Sequence, residues 1–78
     1  MEKTDIQTIV FDKKLFTKDD VRDWCMNHNY RSDIIDVTDQ YIRSLQKEEF
    51  ELDPPFRMKK IRNGILIVLG RKKQNAFS

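Results

Sequence analysis

The chain has little cysteine, glycine or proline, and it lacks a long apolar run. Its one cysteine, Cys25, cannot form an internal disulfide, and a lone thiol favours a reducing compartment over secretion. The longest apolar run, residues 65–69, is far shorter than the roughly 20 residues that cross a bilayer as a helix. The charged residues at positions 2 and 3 do not resemble the start of a signal peptide. We therefore expect a cytosolic protein that is neither secreted nor bound to a membrane.

Acidic residues are missing from the end of the chain. All 13 aspartates and glutamates lie at or before Asp53, whereas the charged residues of the segment 57–78 are all basic. Residues 1–56 thus carry a net charge of −5 and residues 57–78 one of +7, which together give the overall charge of +2. Segregated charge favours an anionic partner, because like charges sum to an extended field. Attraction between the two parts within the fold is the alternative explanation.

The first part of the chain predicts a strand, a capped helix and a second strand. Residues 5–11 are rich in β-branched and aromatic side chains, as is typical of a strand. Thr17 precedes a helical stripe of apolar residues, and Asp20 stands three positions later, which is the spacing of a capping box. We expect the helix to span residues 18–29 and the second strand to span residues 40–46.

The end of the chain predicts a β-hairpin. Asn63 and Gly64 separate two strand-like runs, and this dipeptide favours a two-residue type I′ turn. The apolar last strand is expected in the sheet interior and its basic partner at an edge. The polar residues 47–55, which end in two prolines, should form a surface loop. The expected pairs of the hairpin are Arg62 with Ile65, Ile61 with Leu66, Lys60 with Ile67, Lys59 with Val68 and Met58 with Leu69.

Together these elements predict one small α+β domain. The expected fold is a single helix packed on a small antiparallel sheet, in the order β-α-β-β-β, closed by the C-terminal Asn-Gly hairpin. We expect residues 1–70 to form the domain and residues 71–78 to be a basic, mobile tail. A chain of 78 residues buries only about 60% of its unfolded surface, so its stability should be marginal.

Catalytic and metal chemistry is not predicted. Cys25 and His28 share a helix face, but a zinc site needs three or four ligands and the chain has no second cysteine or histidine. We expect the thiol to pack as a small hydrophobe and the imidazole to lie at the rim of the core. The adjacent acids at 19–20 and 48–49 are explained by a helix start and by a solvated loop. No catalytic residue, metal, cofactor or small-molecule substrate is therefore expected.

Basic residues near the hairpin predict a surface for an anionic backbone. Folding at the Asn-Gly turn would gather them on a single positive face opposite the helix, where about four to six phosphates could be neutralised without base readout. Interleaved aromatic residues, which are typical of single-strand stacking surfaces, are missing. A solvated edge strand followed by a basic tail is the alternative. The candidate nucleic-acid-binding residues are Lys59, Lys60, Arg62, Arg71, Lys72 and Lys73.

Motifs spread over residues 10–71 carry a resemblance to a known family. They are Phe16-Thr17 followed by Val21 and Trp24, then Asp36, Thr38, Asp39, Tyr41, Arg43 and Gln46, then Phe56-Arg57 and Gly64-Ile65. The chain is similar to a small uncharacterised domain of tailed-phage and giant-DNA-virus proteins, although Leu45 stands where those relatives often have a second arginine. The resemblance implies a viral origin, a compact domain and occasional attachment to head-assembly proteins, and it implies no established activity.

The same resemblance suggests a partner-binding cluster. Position by position, it makes Tyr41, Arg43, Gln46 and Arg57 candidates for a shared polar cluster. Arg43 and Arg57 would bind an acidic segment of a partner or, alternatively, pair inside the fold with Asp36 or Asp39.

Two functions are therefore expected. The preferred hypothesis is a non-enzymatic viral accessory or structural domain, a virion or assembly component, that acts through protein–protein contacts with a partner or with its own copies. The alternative is a sequence-independent nucleic-acid-binding protein that uses the basic hairpin and tail on DNA or RNA. Either function would place the protein in the host-cell cytoplasm or in the virion interior.

Overall fold

The computed structural model describes residues 4–48 and 51–73. All strand pairs are antiparallel and form one five-stranded sheet with the order β2-β3-β1-β5-β4, and a single helix packs on it. The predicted α+β class is confirmed, with one strand more than expected. The elements are β1 (Thr4–Asp12), α1 (Lys18–Asn27), β2 (Ile35–Val37), β3 (Tyr41–Leu45), β4 (Leu52–Arg62) and β5 (Ile65–Lys72).

Helix α1 begins at the predicted capping box. The Thr17 hydroxyl accepts from the Asp20 amide at 3.2 Å, and the Asp20 carboxylate accepts from the Thr17 amide at 2.9 Å. The hydrogen bond from the Thr17 amide, and after it the interaction with the Thr17 side chain, lower the pKa of the Asp20 carboxyl. The helix ends at Asn27, two residues before the predicted end, because the chain turns at His28 and takes a left-handed conformation at Asn29, with φ of 62°.

The core lies between α1 and one face of the sheet. Alternate residues of β1, β3 and β5 point to this face, and two helix residues, Val21 and Cys25, pack on them. The edge ring contacts of Phe11 with Trp24 and of Phe11 with Phe16 tie the helix and its entry to β1. The buried core residues are Ile9, Phe11, Val21, Cys25, Ile42, Ile65 and Ile67.

The hairpin forms, but its predicted register and turn type are wrong. Gly64 has a φ of 82°, whereas Asn63 is not among the described residues with a positive φ, so the turn is not type I′. The pairing shifts by one between Lys60 and Arg62, which is the geometry of a bulged hairpin loop closed by a left-handed glycine. Only the pair of Arg62 with Ile65 is confirmed. The other pairs near the turn are Lys60 with Leu66, Lys59 with Ile67, Met58 with Val68 and Arg57 with Leu69, and farther along the strands Asp53 pairs with Arg71 and Leu52 with Lys72.

Two further expectations need correction. Strand β4 begins at Leu52, inside the predicted loop 47–55, because proline is tolerated on an edge strand, where its missing amide costs no ladder bond. Strand β5 continues to Lys72, into the predicted tail 71–78, and residues 74–78 of that tail lie outside the described residues. The interior position of β5 and the edge position of β4 are confirmed.

Candidate functional site

The helix covers one face of the sheet, and the opposite face carries the first candidate site. One row of paired side chains crosses all five strands on this opposite face, from Asp36 in β2 to Lys60 in β4. A second row crosses four strands, and Tyr41 stands beside them on β3. We call this surface the open face. It consists of Asp36, Arg43, Val10, Leu66 and Lys60 in the first row, Leu45, Thr8, Val68 and Met58 in the second, and Tyr41.

The open face is apolar at its centre and accessible at its margins. Val10 is only 7% exposed, since it is flanked by Arg43 in one neighbouring strand and Leu66 in the other. Met58 and Tyr41, at 63% and 42% exposed, rise at opposite sides of a shallow groove of about 270 Å³. Large exposed apolar side chains around an apolar floor are typical of protein docking surfaces.

The charge of the open face is partly cancelled within it. The guanidinium of Arg43 donates to the carboxylate of Asp36, the residue that faces it in β2. Both side chains are about half exposed, at 49% and 58%. The expected internal pairing of Arg43 with Asp36 is therefore confirmed. The remaining basic charge of the two rows is that of Lys60.

The four residues suggested as a partner-binding cluster lie in three different places. Tyr41 and Arg43 share the open face. Gln46 is 8% exposed, and its amide binds the backbone of Arg31 on the helix side, accepting from the amide nitrogen and donating to the carbonyl oxygen, both at 2.8 Å. Arg57 lies in β4, separated from β3 by β1 and β5. The fold thus brings together two of the four.

A second candidate site is the edge formed by β4. Four exposed cations, Arg57, Lys59, Lys60 and Arg62, lie along this strand, and we call them the basic edge. None of them forms an ion pair with any carboxylate in the described part of the chain. Four ion pairs in the described part of the chain join residues from the first 47 positions, and one of them is Lys47 with Asp5 at 2.6 Å. Direct pairing with the described carboxylates therefore does not account for these four charges.

The prediction that the basic residues gather on a single positive face opposite the helix is wrong. The actual register places Lys59 beside Ile67 and Arg57 beside Leu69, at the ends of rows that pack under the helix, whereas Lys60 belongs to the open face. The cations consequently form an edge rather than a face. Arg71 pairs with Asp53. It lies four residues farther along β5 than Ile67, the partner of Lys59, and four residues of a strand span about 13 Å. Of the candidate nucleic-acid-binding residues, Arg71, Lys72 and Lys73 therefore lie apart from Lys59, Lys60 and Arg62.

Cys25 and His28 do not share an environment. The Cys25 side chain is fully buried in the core, and burial raises the pKa of its thiol. His28 is exposed, stacks on Trp24 with ring centroids 4.0 Å apart, and its Nδ1 lies 2.7 Å from the Trp24 carbonyl oxygen. Within the residues that the structure describes, no group of three or more histidine, cysteine or carboxylate side chains is placed to hold a metal ion.

The apolar floor of the open face was not identified from the sequence. It includes Val10, Leu66 and Val68. The sequence does not distinguish these three from core residues, because their neighbours along β1 and β5, which point to the opposite face, are apolar as well. The alternation of β4, with Met58 between basic residues, was the available signal, since such a pattern indicates a half-covered strand.

Comparison with known proteins gives no relative from which to transfer a function. No protein-family model, no curated protein and no solved structure matches this chain. The resemblance to the viral domain accordingly stays a prediction. In the described ranges 4–48 and 51–73, no helix is long and apolar enough to cross a membrane.

Proposed function

We propose that this chain is a non-enzymatic binding domain that makes protein–protein contacts through its open face. The observation that carries the proposal is the apolar floor of Val10, Leu66 and Val68, left uncovered by the single helix and flanked by exposed Met58 and Tyr41. Contact with a partner would remove this surface from water, which stabilises a complex by about 25 cal/mol for each Å² of apolar area buried. Aromatic, methionine and arginine side chains are the types enriched at such interfaces.

The charge of the open face favours a protein over a nucleic acid as its partner. Asp36 neutralises Arg43, so the groove between Tyr41 and Met58 offers little net positive charge to a phosphate backbone. The open face carries one aromatic ring, that of Tyr41. Proteins that bind single strands stack several successive bases on aromatic side chains. A nearly neutral, apolar surface with polar margins suits a folded protein surface.

The setting of this binding is proposed from the viral resemblance. A head-assembly or virion component would meet either a different capsid-associated protein or further copies of itself. We propose that the domain serves as such an accessory component inside the host cell or the virion. Detection of the polypeptide in purified virions by mass spectrometry would support this setting, and its absence from both virions and assembly intermediates would contradict it.

Matched methionine variants test the role of the open face. Met58 on the open face and Met26 on the helix are 63% and 62% exposed, so truncating either costs a similar, small amount of folding free energy. We expect Met58→Ser, alone or with Tyr41→Ser, to weaken self-association or partner capture at least about tenfold. Met26→Ser should leave both unchanged.

Two measurements decide the outcome. Light scattering over a concentration series measures self-association, and quantitative mass spectrometry compares the proteins captured from infected-cell lysate by each variant. A wild-type protein that stays monomeric and captures nothing more than Met58→Ser does would overturn the proposal. Equal losses for the Met26 and Met58 variants would also overturn it, because they would indicate a general rather than a face-specific effect.

The alternative function, sequence-independent nucleic-acid binding, is favoured by one observation: the cations of the basic edge have no carboxylate partner among the residues that the structure describes. A gel shift with random DNA at low salt that disappears between about 50 and 200 mM salt would support it. Indifference to both DNA and RNA at low salt would dismiss it.

A further inference from the structure

We propose that the basic edge binds an extended acidic peptide, which adds to β4 as a sixth strand of the sheet. This site is distinct from the open face, and it stands even if the open face binds nothing. The partner is defined by its chemistry as a segment with acidic residues at alternate positions and apolar residues between them.

The position of β4 makes strand addition possible. It is the last strand in the sheet order and spans 11 residues, and residues 54–62 are all exposed. An edge strand presents backbone amides and carbonyls that have no partner in its own sheet. Pro54 and Pro55 supply no amide hydrogen, so the segment 56–62 provides the pairing groups. The opposite edge, β2, has only three residues and offers a much shorter template.

The charge pattern of β4 selects the sequence of the incoming strand. Arg57 and Lys59 end two rows on the helix side of the sheet, and Met58 ends a row on the open face between them. Acidic residues two positions apart would face Arg57 and Lys59, and an apolar residue between them would face Met58. These cations lack carboxylate partners in the described chain, so the incoming acids would not have to displace an existing ion pair.

A second copy of the chain is a poor occupant of this edge. Two β4 strands paired with one another would place a lysine or arginine of one copy near those of the other, and like charges across a strand pair are destabilising. Lysines on an edge strand are also a recognised protection against pairing between identical sheets.

A nucleic-acid backbone satisfies the edge only in part. Phosphates accept hydrogen bonds from the cations and from backbone amides, but a phosphodiester has no donor for the outward backbone carbonyls of β4. It also leaves Met58 and Ile61, at 63% and 40% exposed, without an apolar partner. A peptide strand supplies both donors and apolar side chains, so the edge favours it.

Synthetic peptides test this inference on the intact chain. The probe is a short, fluorescently labelled, capped peptide in which glutamate alternates with valine, and fluorescence anisotropy at about 50 mM salt measures its binding. Its first control has the same composition with the glutamates in one block. Its second control keeps the alternating sequence but carries N-methyl groups on alternate backbone amides, which preserves the charge and removes the donors for strand pairing. We expect either control to bind at least about tenfold more weakly than the probe.

Charge-reversal variants locate the binding site. Lys59→Glu and Arg62→Glu should each weaken peptide binding at least about tenfold, whereas Lys18→Glu, at an exposed position at the start of α1, changes the net charge equally and should not. Circular dichroism verifies that each variant is folded. Tyr41→Ser, which alters the open face, should bind the peptide as the wild type does, so failure of the open-face proposal and failure of this one are distinguishable.

The possible results divide cleanly. Preference for the alternating peptide, sensitivity to N-methylation and loss on reversal at β4 would support strand addition. Equal binding of all peptides, or equal binding of a thymidine oligonucleotide of the same charge, would show a general anion-binding edge and overturn the proposal. Absence of any peptide binding at low salt would overturn it as well.

Discussion

The ring of Phe56 lies over Gly70, so close that a Cβ atom at residue 70 would stand 2.7 Å from ring carbon Cε1. The Cβ atom of Leu52 would be 2.8 Å from the same position. Two residues of β4 therefore fold over the part of β5 that lacks a side chain. This contact secures the start of the edge strand, where the pairing is interrupted between Asp53 and Arg57.

The first prediction concerns Gly70. Gly70→Ala would force Phe56 and Leu52 away from β5, and overpacking of this kind costs about 1–3 kcal/mol of unfolding free energy. Urea denaturation monitored by Trp24 fluorescence measures the loss. Adding Phe56→Leu to Gly70→Ala should restore part of it, because one of the two close contacts is then relieved. A Gly70→Ala protein as stable as the wild type would contradict the packing described for the start of β4.

The second prediction assigns Gln46 a role in stability. Gln46→Leu would leave the backbone amide of Arg31 without its side-chain acceptor, which costs about 1–3 kcal/mol, whereas the Arg31 carbonyl would keep its hydrogen bond from the Ser44 hydroxyl. The same urea titration measures this cost. Gln40→Leu is the control, since residue 40 is exposed. Equal stability of the two variants would mean that the hydrogen bonds between Gln46 and Arg31 contribute nothing net.

The third prediction is a dependence of stability on pH through Asp5 and Lys47. The hydrogen bond from Lys47 is the main cause that lowers the pKa of Asp5 below its usual 3.8, and the same bond raises the pKa of Lys47 above 10.5. Because the pKa of Asp5 is lower in the folded protein, its contribution to the free energy of unfolding is complete above pH 3.8 and is lost as the pH falls through the folded-state pKa. Because the pKa of Lys47 is higher in the folded protein, its contribution to the free energy of unfolding is complete below pH 10.5 and is lost as the pH rises through the folded-state pKa.

Urea midpoints at neutral pH and at about pH 3 check the acid limb. Asp5→Asn should lose less stability on acidification than the wild type, because it no longer has this carboxylate to protonate. Asp39→Asn removes an exposed carboxylate that forms no ion pair in the described chain, and it should retain the wild-type dependence. An Asp5→Asn protein with unchanged acid sensitivity would refute the role of this pair.

The fourth prediction is that Cys25 is chemically protected. Burial raises the pKa of its thiol and the side chain is fully inaccessible, so alkylation by iodoacetamide should require unfolding. The rate should increase with urea in parallel with the unfolded fraction. Cys25→Ala combined with Met26→Cys would place a thiol at a position that is 62% exposed, and this thiol should react rapidly in the folded protein. Rapid alkylation of native Cys25 would contradict its place in the core.

The hairpin shows how far a local pattern can be extended. The Asn-Gly dipeptide correctly predicted the place of the turn, because glycine accepts the left-handed conformation that Gly64 adopts. The register followed from a different loop geometry, with Asn63 outside the positive-φ region and a bulge between Lys60 and Arg62. Since each one-residue shift moves side chains to the opposite face, this difference placed Lys59 on the helix side and Met58 on the open face.

The short strand β2 illustrates a second limit. Ile35 and Val37 are β-branched, but a run of three residues is too short to be recognised as a strand from the sequence, and it forms a strand because it pairs with β3. The partner of Arg43 depended on this pairing, since it places Asp36 directly opposite. The sequence could name Asp36 as one of two possible partners but had no means of choosing between them.

By itself, the sequence determined the capped helix, the place of the last turn, the α+β class and the separation of acidic from basic residues. Each of these depends on neighbouring residues or on composition, so it can be read along the chain. Only the tertiary structure decided which sheet face the helix covers and which cations have no carboxylate partner within residues 4–48 and 51–73. Both depend on contacts between residues that are far apart in sequence, and one bulge near Ile61 is enough to change which side chains meet.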